Sequence, residues 1–160
     1  MGSAPGSWAQ IAVDKTNANK QSTKEKIGRV LGIDLKPVSP ISGAEFYVCD
    51  FLGDDFLINI DNILTTPADV IVSDMASNST GHRKSDHLRI MALCEAAAFF
   101  SFDYLRPGGN FVAKVLAGGA ERNLQTSLKN NFKKVVNFKP KSSRSDSSEK
   151  YVVALGFGKV

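Results

Sequence analysis

Lys114 is the most unusual residue of this sequence, because it lies inside the apolar run Phe111-Val-Ala-Lys-Val115, which predicts a buried strand. A lysine buried among apolar side chains is costly unless an opposite charge pairs with it. The alternative is a lysine on an edge strand, where it would protect the sheet against aggregation. The apolar residues on both sides of Lys114 favour a central strand, and we therefore expect a functional role.

Acidic residues stand at the ends of several predicted strands. Asp34 and Asp50 end two of them, Asp74 directly follows a third, and Glu149 immediately precedes the last. One acid in such a position is often only a turn former. Several in succession, at the carboxyl edge where α/β sheets bind ligands, favour a ligand site.

The turn Gly2-Ser-Ala-Pro-Gly-Ser-Trp8 precedes a predicted helix. Small residues let the backbone approach a ligand, and the N-terminus of a helix offers free N–H groups. Such tracts are also common at disordered termini, so this turn alone does not establish a ligand site. Asp34 follows at a distance where nucleotide-binding α/β folds place an acid on ribose hydroxyls.

Short apolar runs and longer helical patterns alternate along the chain. The predicted strands are 28–34, 44–48, 69–73, 110–116, 134–138 and 151–157, and the predicted helices are 8–18, 54–64, 84–105 and 121–131. The clearest helix carries one apolar stripe: Leu88, Met91, Cys94, Ala98, Phe102 and Leu105. Arg106-Pro-Gly-Gly109 should end it. The alternation predicts a doubly wound α/β fold, most of it parallel, in one domain spanning 1–160.

Composition excludes several classes of protein. The chain has 160 residues, of which 42% are hydrophobic and 22% charged, as in globular proteins with a core. No apolar stretch is long enough for a membrane span, and no signal peptide is evident. Its two cysteines, Cys49 and Cys94, are too few for a disulfide framework or a zinc cluster. We expect a cytoplasmic protein that binds neither metal nor membrane.

The net charge of +4 is unevenly distributed. Residues 15–36 carry six bases and two acids, residues 129–150 carry seven bases and two acids, and residues 50–69 hold five aspartates without a base. This pattern is typical of a protein with one face suited to a polyanion such as RNA, although solvated loops would look similar.

Seven segments resemble the FtsJ (RrmJ) family in order and spacing, over essentially the whole chain. They are Ser3–Trp8, Ser73–Asn78, Thr80-Gly81, Asp86 with Arg89, Leu105–Gly109, Val112–Val115, and Lys139–Arg144 through Tyr151. The resemblance implies a Rossmann-like fold whose last strand is antiparallel. It also implies transfer of a methyl group from S-adenosylmethionine to a ribose 2′-hydroxyl, that of a uridine in large-subunit rRNA, with the large ribosomal subunit as a further partner.

The same resemblance implies roles for individual residues. Lys114 would be the central catalytic residue, with Asp74 and Glu149 beside it. For the cofactor, Gly6 and Trp8 would lie against the methionine end, Asp34 at the ribose, Asp50 at the adenine amine, and Asp74 at the amino-acid moiety. Lys139, Lys141 and Arg144 would bind RNA.

The family's pattern begins before Met1, with a basic helix carrying another catalytic lysine and then a central strand. We therefore expect the first central strand to be absent from this chain, and a non-catalytic remnant is the main alternative. Carboxylates beside Lys114 would favour its charged form and burial its neutral form, so its role as base or as orienting cation stays open. A methyltransferase acting on a small molecule and a nicotinamide dehydrogenase fit the motifs less well.

Overall fold

The structure, a computed structural model, describes residues 1–20, 27–77, 80–116, 121–141, 143–144 and 147–158. The chain divides into two compact units, Met1–Ile63 and Leu64–Val160. The helices are α1 (Ser7–Thr16), α2 (Asp54–Ile63), α3 (Arg83–Tyr104) and α4 (Glu121–Asn131). The strands are β1 (Val30–Asp34), β2 (Ala44–Val48), β3 (Ala68–Ser73), β4 (Leu105–Leu116), β5 (Phe132–Phe138) and β6 (Glu149–Phe157). Every predicted helix and strand is found. Their ends differ from the prediction by a few residues at most, except that β4 begins five residues earlier than predicted.

The first unit is built on a pair of parallel strands, β1 and β2. Helix α1 packs on them through Ala9 and Val13, which form a buried cluster with Val30. The segment before α1 is tied to the end of β1, since the backbone N–H of Ser3 donates to the carbonyl of Ile33 at 3.2 Å. The glycine-containing turn therefore lies beside the carboxyl end of β1.

The second unit is a four-stranded sheet in the order β3-β4-β6-β5. Strands β3 and β4 are parallel, and β6 runs antiparallel to both of its neighbours, β4 and β5. Three strands of this sheet thus point one way and the last strand points the other way. The predicted α/β class with an antiparallel last strand is confirmed, whereas the absence of a first central strand stays a prediction.

Strand β4 is central, because it pairs with β3 on one side and with β6 on the other. Ala113 and Val115 are buried on one face of this strand. Successive side chains of a strand point to opposite faces, so Lys114 lies on the other face. The edge-strand explanation for Lys114 is therefore excluded.

The start of β4 differs from the prediction, which placed it at Asn110. The strand begins at Leu105, opposite Ala68, and its register against β3 shifts before Val70. A side chain at Gly109 would crowd the backbone here, since its Cβ would lie 2.9 Å from the carbonyl oxygen of Arg106 and 3.1 Å from that of Asp69. The Pro-Gly-Gly segment thus ends α3, as predicted, and then continues as a strand with an irregularity.

Three residues of the predicted apolar stripe are buried in α3, namely Met91, Cys94 and Ala98. Leu88 was predicted to belong to this stripe, and that was wrong, because it is 63% exposed. The periodicity of a sequence identifies the apolar face of a helix, but burial also requires a neighbour over each turn. None of the described helices is both long and apolar enough to cross a membrane.

Candidate active site

The second unit brings Lys114, Asp74 and Glu149 together. The Nζ atom of Lys114 lies 3.2 Å from Oδ1 of Asp74 and 3.9 Å from Oε1 of Glu149. The lysine side chain is 10% exposed, that of Asp74 27% and that of Glu149 52%. A nearly buried cation therefore lies between a half-buried carboxylate and an exposed one.

Strand register explains why these side chains meet. Ser73, the last residue of β3, lies opposite Ala113 of β4, so the next residue, Asp74, comes level with Lys114. Glu149 was predicted to precede the last strand, but it is the first residue of β6 and pairs with Leu116. Residues two apart on a strand share a face, which places Glu149 on the face of Lys114.

The two ion pairs differ in strength. The closer pair, Lys114 with Asp74, is shielded from water, and Coulomb attraction between shielded charges is less reduced by the solvent. The longer contact with the exposed Glu149 resembles a surface salt bridge, which contributes little to stability. Asp74 is therefore the side chain that holds the ammonium of Lys114 in place.

Tyr151 is a fourth member of this cluster, and no role was predicted for it from the sequence. It lies directly opposite Lys114 across β4 and β6, and its hydroxyl donates a hydrogen bond to Oδ1 of Asp74 at 3.3 Å. Burial, and then the negative charge of Asp74, raise the pKa of Tyr151 to about 12. The hydroxyl therefore keeps its proton at neutral pH and stays a donor. The alternation of Glu149 and Tyr151 along one strand was the sequence signal for it.

The loop that follows Asp74 is fastened to the start of α3. The backbone N–H and the hydroxyl of Thr80 both donate to Oδ1 of Asp86, at 2.8 and 2.7 Å. This explains the spacing of these two residues in the sequence. Asn78, the last residue of the motif that starts at Ser73, lies outside the described residues.

The first unit brings Asp34 and the glycine turn together. Oδ2 of Asp34 accepts a hydrogen bond from the backbone N–H of Ala4, and Oδ1 accepts one from that of Lys36, both at 2.8 Å. Carboxylate oxygens have further lone pairs, so Asp34 can also accept from ligand hydroxyls. Gly6, the residue directly before α1, has a φ of 121°, a conformation that residues with side chains rarely adopt.

Asp50 lies two residues beyond the end of β2, whose bounds are those predicted. Its Oδ1 accepts the backbone N–H of Leu52 at 3.0 Å, which shapes the turn into α2. Beside it is a pocket of about 550 Å³, lined in part by Asp50, Tyr47, Phe56 and Ile63. The lining is mixed, since it also includes Asn59 and Asn62, and a pocket of this size with one carboxylate has room for a flat heterocycle that carries an amine.

The N-terminus of α1 has neither a side-chain cap nor an acidic residue in its first turn. The positive end of the helix dipole is therefore not neutralised by the helix's own side chains. Trp8 lies in this first turn with 40% of its surface exposed. The uncapped turn, Asp34 and the pocket at Asp50 are the features to which the family resemblance assigns the methionine end, ribose and adenine of S-adenosylmethionine, and these roles stay predictions.

The basic residues after β5 are exposed, and one of them, Arg144, lies near Glu149. Nζ of Lys139 donates to the carbonyl of Ser147 at 3.0 Å, which joins the two ends of the segment. Lys141 and Arg144 are exposed, and Arg144 lines a shallow surface pocket together with Glu149. Positive charge therefore adjoins the Lys114 cluster within the second unit.

The cluster around Lys114 is suited to orienting a hydroxyl group. An ammonium held between carboxylates donates hydrogen bonds in fixed directions, and a hydroxyl oxygen is a suitable acceptor.

Among the described residues, no group of three or more His, Cys, Asp or Glu side chains is arranged to hold a metal ion.

Comparisons with known proteins agree with one another. The model of the FtsJ-like methyltransferase family matches residues 1–157. The chain is 58% identical, over 98% of its length, to Ribosomal RNA large subunit methyltransferase E of Cereibacter sphaeroides. It spans 64% of that relative, less than two thirds.

Solved structures give the same picture. A ribosomal RNA methyltransferase from Plasmodium falciparum has a TM-score of 0.81 and 30% identity, over 99% of this chain and 85% of that one. A Streptococcus mutans methyltransferase in complex with SAH has a TM-score of 0.50 and 14% identity, over 81% and 72% of the two chains, which shows likeness of fold alone. With a family model matched over nearly its whole length and relatives of this similarity, the chain belongs to the FtsJ-like methyltransferases.

Proposed function

We propose that this chain forms a single methyltransferase domain that transfers a methyl group from S-adenosylmethionine to a ribose 2′-hydroxyl of large-subunit rRNA. The observation that carries the proposal is the ammonium of Lys114, held on a central strand by Asp74 at 3.2 Å and Glu149 at 3.9 Å. The name of the Cereibacter relative supports rRNA as the substrate. Uridine as the target nucleoside rests on the family resemblance alone.

Residues of the first unit would bind the cofactor. Asp34 would accept hydrogen bonds from the ribose hydroxyls, Asp50 would accept one from the adenine amine, and the turn at Gly6 and Trp8 would bind the methionine end. A protein with a similar fold was solved in complex with SAH, which supports the class of cofactor, while the roles of these residues rest on the family resemblance. When bound, the cofactor supplies a methyl group already activated by a positively charged sulfur. An interaction between Asp74 and the amino-acid moiety stays a prediction.

Residues of the second unit would hold the acceptor. Lys114 Nζ would donate a hydrogen bond to the ribose 2′-oxygen, and Asp74 and Tyr151 would keep Nζ in position. An acceptor held in this way has already lost, on binding, the translational and rotational entropy that two free reactants would lose in the transition state. As the bond from sulfur to the methyl carbon breaks and the bond from the 2′-oxygen forms, the positive charge would stabilise that oxygen, and its proton would pass late to solvent water. Lys114 therefore acts in this proposal as an orienting cation.

Exposed basic residues would bind the RNA backbone. Lys139, Lys141 and Arg144 follow β5, and Arg144 shares a surface pocket with Glu149. Lysine and arginine side chains at such positions contact phosphates and position the substrate without reading its sequence. We place the reaction in the cytoplasm on the basis of composition.

The experiment combines isothermal titration with a methyl-transfer assay. Titration with S-adenosylmethionine and its demethylated product should show one binding site. Labelled methyl should then appear in large-subunit rRNA, offered either free or within the large subunit. A 2′-O-methylated nucleotide resists alkaline cleavage, because the 2′-hydroxyl is the nucleophile of that cleavage. Label found in bases, or in alkali-sensitive positions, would overturn the proposal.

A further inference from the structure

Lys114, Tyr151 and Phe138 form one row across the sheet of the second unit. Tyr151 of β6 lies directly opposite Lys114 of β4 on one side and opposite Phe138 of β5 on the other. Directly opposite residues of paired strands have their side chains on the same face. Neighbouring strands are about 4.8 Å apart, so Phe138 follows Lys114 at about 10 Å. The ring of Phe138 therefore shares the face on which Lys114, Asp74 and Glu149 meet.

Phe138 is exposed at the edge of this sheet. It is 54% exposed, and β5 is the outermost strand. Helix α4 lies on the opposite face, where Gln125 Nε2 donates to Oδ1 of the preceding residue, Asn137, at 2.8 Å. A single exposed apolar residue needs no functional explanation. Phe138 differs because it stands between the Lys114 cluster and the basic segment that begins at Lys139.

The other aromatic residue of the row, Tyr151, already has a hydrogen-bond partner. The hydroxyl of Tyr151 is bound to Asp74, which fixes the direction of its ring. Phe138 has no polar group to bind and presents a flat apolar surface. Exposed aromatic rings beside basic residues are the usual platforms on which unpaired bases stack, and such stacking is tolerant of sequence.

We propose that Phe138 is a stacking platform for an unpaired base of the RNA substrate, next to the ribose that Lys114 orients. This inference rests on the proposed function, because it takes Lys114 to mark the position of the acceptor hydroxyl. A base about 10 Å from that hydroxyl belongs to the same nucleotide or to its neighbour along the strand. The substrate is then single-stranded at the modified position, and Phe138 with Lys141 and Arg144 forms the track that binds it.

The experiment measures binding of a short oligouridylate that carries one 2-aminopurine, whose fluorescence is quenched by stacking. The unmodified protein is compared with Phe138→Ala, Phe138→Trp and a matched control, Phe99→Ala, which removes another exposed ring (60% exposed) on α3. Stacking of one base is worth about 1–3 kcal/mol, so Phe138→Ala should weaken binding by about 5- to 150-fold. Phe138→Trp and Phe99→Ala should bind about as well as the unmodified protein. A thermal melt checks that each variant is folded.

The outcomes separate this inference from the proposed function. Equal affinity and equal quenching for Phe138→Ala and Phe99→Ala would overturn the stacking role, even if the enzyme methylates rRNA normally. So would the same loss of affinity for double-stranded RNA, whose bases are already stacked. Failure of methyl transfer together with a selective loss of binding in Phe138→Ala would instead reject the reaction and keep the RNA-binding surface. In the methyl-transfer assay, Phe138→Ala should raise KM for RNA and leave the affinity for S-adenosylmethionine unchanged.

Discussion

The hydroxyl of Tyr151 lies 3.3 Å from Oδ1 of Asp74, the same oxygen that Nζ of Lys114 approaches to 3.2 Å. One carboxylate oxygen thus accepts from a neutral donor and a charged one. The tyrosine fixes the carboxylate, and the carboxylate fixes the ammonium. The position of Lys114 therefore depends on a residue of the last strand, which comes late in the sequence.

Asp74 should matter more for stability than Glu149. Asp74→Asn removes the closest negative charge from a nearly buried cation, and loss of one partner of a buried pair costs up to about 3 kcal/mol here, given that Asp74 is partly exposed. Glu149→Gln removes an exposed charge at 3.9 Å and should cost at most about 1 kcal/mol. Urea unfolding at neutral pH measures both changes. Equal losses in the two variants would mean that the ion pairs are equivalent.

Replacement of Lys114 should abolish methyl transfer and change the affinity for S-adenosylmethionine by no more than a few-fold. The reason is that Lys114 would contact the acceptor hydroxyl, while the adenosine is assigned to Asp34 and Asp50. Lys114→Ala is compared with Lys84→Ala, which removes an exposed lysine on α3. Lys114→Met retains most of the buried side chain and separates loss of chemistry from loss of folding. Turnover close to that of the unmodified protein in Lys114→Met would refute the catalytic assignment.

Tyr151 should make the protein less stable at alkaline pH. Its pKa is raised from 10.0 in the unfolded chain to about 12 in the folded protein, so the unfolded state loses its proton first. The stabilising contribution is complete below about pH 10 and is lost as the pH rises towards 12.

The matched variant for this prediction is Tyr151→Phe, which cannot ionise. Urea unfolding of both proteins is measured between neutral pH and pH 12. The unmodified protein should be the more stable one at neutral pH, by about 1 kcal/mol for one hydrogen bond. This difference should shrink as the pH rises through the titration range, while effects of the other tyrosines cancel. A difference that is independent of pH would show that Tyr151 has an ordinary pKa.

Binding of RNA should depend steeply on salt, through Lys141 and Arg144. Removal of one side chain that binds a phosphate of a single strand lowers the slope of log K against log salt concentration by about 0.7. The double variant Lys141→Gln/Arg144→Gln should therefore reduce the slope by about 1.4. Lys139 is left unchanged, because its hydrogen bond to Ser147 also holds the segment together.

The control for the salt prediction removes two exposed charges from α3, as Lys84→Gln/Arg89→Gln. This variant has the same net charge as the first and should keep the slope of the unmodified protein. If both double variants reduce the slope equally, the effect is one of net charge, and the segment after β5 does not bind RNA specifically.

The amino-acid sequence alone predicted the elements and the residues that carry charge at their ends. Apolar runs rich in β-branched residues located the strands, and one stripe located α3, because these patterns are local and have a period. The cost of burying a lysine singled out Lys114 without any knowledge of its neighbours. The sequence was wrong where burial depended on contacts beyond the element, as for Leu88, and where a strand continued through Pro107 and Gly109.

Only the tertiary structure decided which of these residues meet. The antiparallel register of β4 with β6 brings Tyr151 opposite Lys114, and a shift of one residue would turn Tyr151 to the other face of the sheet. The register of β6 with β5 in turn aligns Phe138 with the same row. Register depends on hydrogen bonds between segments far apart in the chain. Periodicity within a segment shows which residues share a face, but pairing between segments sets which faces and rows come together.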